Sequence, residues 1–162
     1  MTSYQQLGFK VNDSGSNSSY IPKIQISMVK EIYLSDTKYS CSEDIAKSEI
    51  VKRELKNSDR EKFICIHLNV KNQIISYEVV SMGSLTCSIV HPREVFKAAI
   101  LANAASVIFL HNHPSGSTEE SMDDIEITNR LYKAGTILGI NVLDHIIIAK
   151  EEWMSFRQKG LI

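Results

Sequence analysis

Along most of the chain, apolar residues arrive in two rhythms, short dense runs and stripes at helical spacing, and the two alternate. Phe63-Ile64-Cys65-Ile66-His67-Leu68-Asn69-Val70 and Gln73-Ile74-Ile75-Ser76-Tyr77-Glu78-Val79-Val80 are β-rich runs separated by Lys71-Asn72. Asn tolerates the left-handed backbone of a tight turn, so this junction predicts a hairpin. A third run, Leu85 to Val90, follows Gly83, and the three together predict an antiparallel meander. Ser106-Val107-Ile108-Phe109-Leu110 is continuously apolar and too short for a typical helix, which predicts a central strand buried on both faces. Val142 to Ile148 predicts a further strand that closes the sheet.

The stripes fall between these runs. Pro92 suits the first turn of a helix over Arg93 to Leu101, whose Val95, Ala98, Ala99 and Ala102 would pack on the sheet. A second helix is predicted from Ser121 to about Leu138, with Gly139 as its C-terminal stop. Upstream, Ser42 caps one helix through roughly Lys56, with Ile45, Glu49 or Ile50, and Leu55 facing inward. Ile24, Ile26, Met28 and Ile32 alternate as in a half-buried strand, and residues 1–20 are too polar to offset the entropy of ordering them. The expected organisation is a flexible tail over 1–20, a strand and loop over 21–40, and one domain over 41–162. Its fold class is α/β (α+β), with helices around one mixed sheet.

A length of 162 residues with 43% apolar content suffices for one packed core. The net charge of −1 and pI near 6.5 provide no overall basic field for DNA or RNA. Cys41, Cys65 and Cys87 are an odd number without CxxC spacing, so they read as reduced thiols and not as a disulfide framework. No segment approaches the ~18 apolar residues of a membrane span, and the start lacks a secretion signal. The expectation is a cytoplasmic protein.

The chemistry concentrates in His111-Asn112-His113-Pro114 and, after six intervening residues, Ser121-Met122-Asp123-Asp124. Residues two apart on a strand project to one face with Cα atoms ~6.6 Å apart, so His111 and His113 converge while Asn112 points away. The intervening loop can return Asp124 to the imidazoles. Two nitrogens and a carboxylate oxygen suit one zinc ion, and three protein ligands leave a fourth position for water, the arrangement of a catalytic site. Taken alone, Ser121 and Asp124 also read as a helix cap with an acid at the third position. The paired histidines beside a Pro-Ser-Gly turn have no comparable packing role.

The pattern His111-x-His113-Pro114-x6-Ser121-x2-Asp124 resembles the JAMM signature of MPN-domain metalloproteases, and His-Asn-His-Pro-Ser-Gly resembles the RadC subfamily in particular. The likeness extends through Gly83-Ser84-Leu85, His91 to Ala98, Asn103-Ala104-Ala105, Leu143 to Ile148 and Ser155-Phe156, covering roughly residues 40–162. It implies a single MPN/JAB-like domain with a mostly antiparallel mixed sheet, related to the cytidine-deaminase-like architecture. It also implies hydrolysis of an amide in a peptide or protein by zinc-activated water. JAMM enzymes supply a Glu at the start of a core strand, which makes Glu61 the candidate base, with Glu49, Glu78 and Glu94 as alternatives; Ser121 would donate to the oxyanion. His145 is a core histidine or a support of the site from behind, and His67 and His91 take structural roles. The alternative function is a non-catalytic MPN-type scaffold associated with DNA repair or mobile elements. Nucleobase deamination lacks its Pro-Cys-x-x-Cys pair.

Overall fold

The computed structural model describes residues 39–83, 90–150 and 152–162. The predicted tail over 1–20, the strand around Ile24–Ile32 and most of the run Leu85–Val90 lie outside these residues. Two short helices, α1 (Ser42–Ala46) and α2 (Glu49–Glu54), precede strands β1 (Lys62–Leu68) and β2 (Ile74–Met82). Helix α3 (Pro92–Leu101), strand β3 (Ser106–Asn112), helix α4 (Met122–Leu138), and strands β4 (Asn141–Ala149) and β5 (Glu152–Ser155) follow. Among the described residues the sheet has five strands in the order β2-β1-β3-β4-β5. Of these strands only β3 and β4 pair in parallel, so the sheet is mixed and mostly antiparallel, as expected.

Two expectations need correction. The segment from Ser42 to Lys56 is not one helix: the Ser48 hydroxyl accepts from the Val51 amide and starts a new one, so Ile45 and the Ile50–Val51 pair are all buried. Nor does β4 close the sheet. Beyond Lys150, at φ 43°, β5 turns back antiparallel and becomes the edge, a strand of four residues too brief to show a period.

Alternation along the strands divides the core. Ile64, Ile66, Leu68, Ile108 and Leu110 pack against Ile45, Ile50 and Leu55 of the first helical pair and its end. Phe63, Cys65, Val107 and Phe109 pack on the other face against Val95, Phe96, Ile127 and Leu131 of α3 and α4. Strand β3 is buried along its whole length, which explains its unbroken apolar run. Parallel strands require a crossover, and α4 supplies it between β3 and β4. The chain therefore leaves the C-terminal end of β3, crosses Pro114–Glu120, and enters α4 near that same strand end. Gly139 stops α4 with φ 71°, as the sequence predicts.

Candidate metal centre

His111 sits near the end of β3 with its ring wholly enclosed, and His113 lies just past the strand, where its amide continues the ladder to the Ile148 carbonyl at 3.0 Å. Asp124, at the third position of α4, is 5% exposed. Nε2 of His111 lies 2.8 Å from Nε2 of His113 and 3.2 Å from Oδ1 of Asp124, and Nε2 of His113 lies 3.5 Å from Oδ2. The three predicted ligands thus come together, each offering a donor atom within 4.8 Å of the others.

The donor chemistry fits a cation. Nδ1 of His113 lies 2.9 Å from the Ser117 carbonyl, which can only accept, so that nitrogen carries a proton and in the neutral ring Nε2 presents a lone pair. Ionised Asp124 also has lone pairs only. Two imidazole nitrogens and a carboxylate are a set suited to zinc. Burial holds His111 below its ordinary value despite the Asp124 carboxylate beside it, and so favours its neutral form. Without a cation between them, the Asp124 carboxylate accepts a hydrogen bond from protonated His113 and raises it, outweighing its burial. Burial pushes the Asp124 carboxyl up, but its contacts with His111, His113 and Ser121 prevail and hold it well below the usual carboxylate range.

Ser121 performs the capping role the sequence allows. Its Oγ accepts from the Asp124 amide at 3.1 Å and donates to Asp124 Oδ2 at 2.6 Å, while its own amide donates to Oδ2 at 2.8 Å. Ser121 also lines an open cleft of about 490 Å³, together with Glu61, His113 and Asp124. Glu61 reaches this wall through sheet register. Phe63 pairs with His111, and the same antiparallel register, continued beyond the ladder, sets Glu61 beside His113. Its carboxylate acts, after larger effects, to raise His113 further and to offset part of the lowering of His111. The alternatives stand elsewhere: Glu49 is exposed on α2, Glu94 pairs with Lys97 on α3, and Glu78 lies opposite Cys65 on β2.

Three residues matter here beyond the predicted set. Asn112 points away from the imidazoles, as strand alternation requires, and its side chain clamps the backbone on either side of Glu61. Nδ2 donates to the Arg60 carbonyl at 3.0 Å and Oδ1 accepts from the Lys62 amide at 2.8 Å. His145 is indeed a core histidine, stacked on Phe156, and its Nε2 also lies 2.8 Å from Nδ1 of His111. Thr128 touches Nδ1 of His145. The spacing of Thr128 four residues after Asp124 was the available signal, since such residues share a helix face.

A family model described as RadC-like JAB domain matches residues 39–161. A UPF0758 protein of Desulforamulus reducens is 50% identical over 122 residues, covering 75% of this chain and 53% of the relative. One from Geobacillus thermodenitrificans is 42% identical over 157 residues, or 97% of this chain and 61% of the relative. One from Methanosarcina mazei is 43% identical over 141 residues, or 87% and 55%. The chain spans between about half and three-fifths of the length of these curated relatives.

Proposed function

Because the chain belongs to the RadC-like JAB domain family, we propose that it is a zinc-dependent metallopeptidase or isopeptidase that hydrolyses an amide bond in a peptide or protein. The observation that carries this reading is the convergence of lone pairs from His111, His113 and Asp124 at a cleft also lined by Glu61 and Ser121. When bound, zinc supplies Lewis-acid polarisation of a carbonyl and a lowered pKa for water. Glu61 takes the proton from the attacking water and delivers it to the leaving amine. The Ser121 hydroxyl turns from Asp124 to the developing oxyanion, while its amide keeps hold of the carboxylate. Asn112 holds the peptide segment that carries Glu61, so the base is presented from rigid backbone. The free thiols of Cys41 and Cys65 suit a reducing compartment such as the cytoplasm, and no helix among the described residues is long and apolar enough to cross a membrane.

The test pairs metal analysis with one substitution. Protein expressed with ample zinc is expected to hold about one equivalent, and Glu61→Gln to keep it while cleavage of a mixed peptide library falls by ~10²–10⁴-fold. Protein without zinc after such expression contradicts the reading. Zinc retained without peptide cleavage in the wild type moves the assignment to the scaffold alternative.

A further inference from the structure

We propose that Thr128 and His145 are positioning residues which fix the tautomer of His111, keeping its proton on Nδ1 and its Nε2 lone pair toward His113 and Asp124. The inference rests on the metal-centre reading and adds residues from the body of α4 and from β4 to it. Oγ1 of Thr128 lies 2.5 Å from the backbone carbonyl of Asp124 and 2.5 Å from Nδ1 of His145. Nε2 of His145 lies 2.8 Å from Nδ1 of His111. Four groups therefore form one chain, and the protons in it have only one consistent arrangement.

A backbone carbonyl has no proton to give. The Thr128 hydroxyl must donate to it, because the opposite orientation leaves two oxygens 2.5 Å apart with nothing between them. With its proton committed, Oγ1 can only accept, so His145 donates from Nδ1. A neutral imidazole has one N–H and one lone pair, and Nε2 of His145 must then accept from Nδ1 of His111. The remaining nitrogen of His111 is left with its lone pair. A doubly protonated His145 would reverse the last step, but Phe63, Phe109 and Phe156 surround this ring and exclude the water that would solvate an imidazolium. His113 obtains the same result from one carbonyl, that of Ser117. His111, deeper in the fold, obtains it through two intermediaries that begin at Asp124's own main chain.

The experiment uses the whole 162-residue chain, metal-free and with ¹⁵N-labelled histidine, at pH 8, where long-range couplings identify the protonated nitrogen of each ring. His111 and His145 are expected to carry Nδ1–H. Thr128→Val should move His145 and His111 toward Nε2–H and weaken zinc binding ~10–100-fold in competition with a chromophoric chelator, with Thr128→Ser restoring both. Nε2–H on His111 in the wild type overturns the proposal, and so does Thr128→Val with unchanged tautomers. The wild-type spectrum decides even if the valine variant fails to fold. Wild-type tautomers as stated in a protein that binds no zinc would support the relay and overturn only the metal-centre reading; zinc bound as usual with Thr128→Val inert would overturn only the relay.

Discussion

Asp124 and Asp144 are both buried carboxylates, at 5% and 0% exposure, and their surroundings are opposite. Asp144, on β4, is filled by neutral donors: Ser42 Oγ at 2.6 Å and Ser155 Oγ at 2.7 Å on Oδ2, with the amides of His145 at 2.8 Å and Arg157 at 3.1 Å on Oδ1. It ties α1, β4 and β5 together, and every contact directs a proton at it. Asp124 receives Ser121 on Oδ2, while Oδ1 faces Nε2 of His111 at 3.2 Å. Burial does not separate a structural acid from a ligand; the sign of what faces it does. A carboxylate facing two imidazole nitrogens, each a lone pair when its ring is neutral, offers a cation three donor atoms at one point, which is the arrangement the proposed metal site needs.

The largest expected effect breaks this contrast at Asp124. Asp124→Asn preserves shape and capping but replaces one anionic oxygen with an NH₂ group, so zinc should fall well below one equivalent and hydrolysis should be lost. The metal-free variant should melt within a few degrees of metal-free wild type. Asp144→Ala should do the reverse. Stranding its buried donors costs about 3 kcal/mol, a fall of roughly 6–12 °C in Tm, with zinc stoichiometry intact in the folded protein. Metal analysis and calorimetry on both variants check the pair; zinc loss in the Asp144 variant without unfolding would erase the distinction.

The same contrast explains what could be read from the chain. His111, His113 and Asp124 were legible because strand alternation and a short crossover loop nearly determine where they meet. Gly139 was legible because a left-handed stop is a local device; His91, read only as structural, proves to be the cap of α3, its Nδ1 accepting from the Arg93 amide. The break at Ser48 was hidden, since only packing against Ile64 and Ile66 makes burial of both Ile45 and Ile50 decisive. Asp144 was hidden for a different reason. Its hydroxyl partners lie 102 and 11 residues away, and no spacing encodes a closed ring of donors. The backbone clamp by Asn112 and the bonding of His145 to His111 likewise depend on which strands become neighbours.

Ser121 allows an intermediate test, because it serves both the helix and the proposed chemistry. Loss of its cap in Ser121→Ala should cost about 1 kcal/mol, or roughly 2–4 °C in Tm. Zinc should remain, since the Ser121 amide still supports Oδ2 of Asp124. Hydrolysis should drop by ~10²-fold if the hydroxyl meets the oxyanion. A drop no greater than the loss of folded, zinc-loaded protein would leave Ser121 as a cap alone.

The smallest effect concerns a buried polar group of neither kind. His67 is 1% exposed; its Nδ1 lies 2.7 Å from Ser76 Oγ, and its Nε2 has no hydrogen-bond partner among the described residues. Burial lowers its pKa from 6.5 to about 4, so the fold holds the ring neutral where the unfolded chain takes up a proton. The sign follows: this contribution is complete above pH 6.5 and is lost as pH falls from there through about 4. At pH 5 the loss is about 2 kcal/mol, from ~1.4 kcal/mol per pH unit. Buried His111 and His145 are shifted the same way and His113 the opposite way, so the comparison must be made against His67→Gln in metal-free protein. Denaturant unfolding between pH 8 and 5 should show wild type losing about 2 kcal/mol more than the variant. Parallel curves would mean that His67 stays solvated enough to titrate normally. A steeper wild-type curve would show that one nitrogen without a partner, away from any converging donors, gives the fold acid sensitivity and not a ligand site.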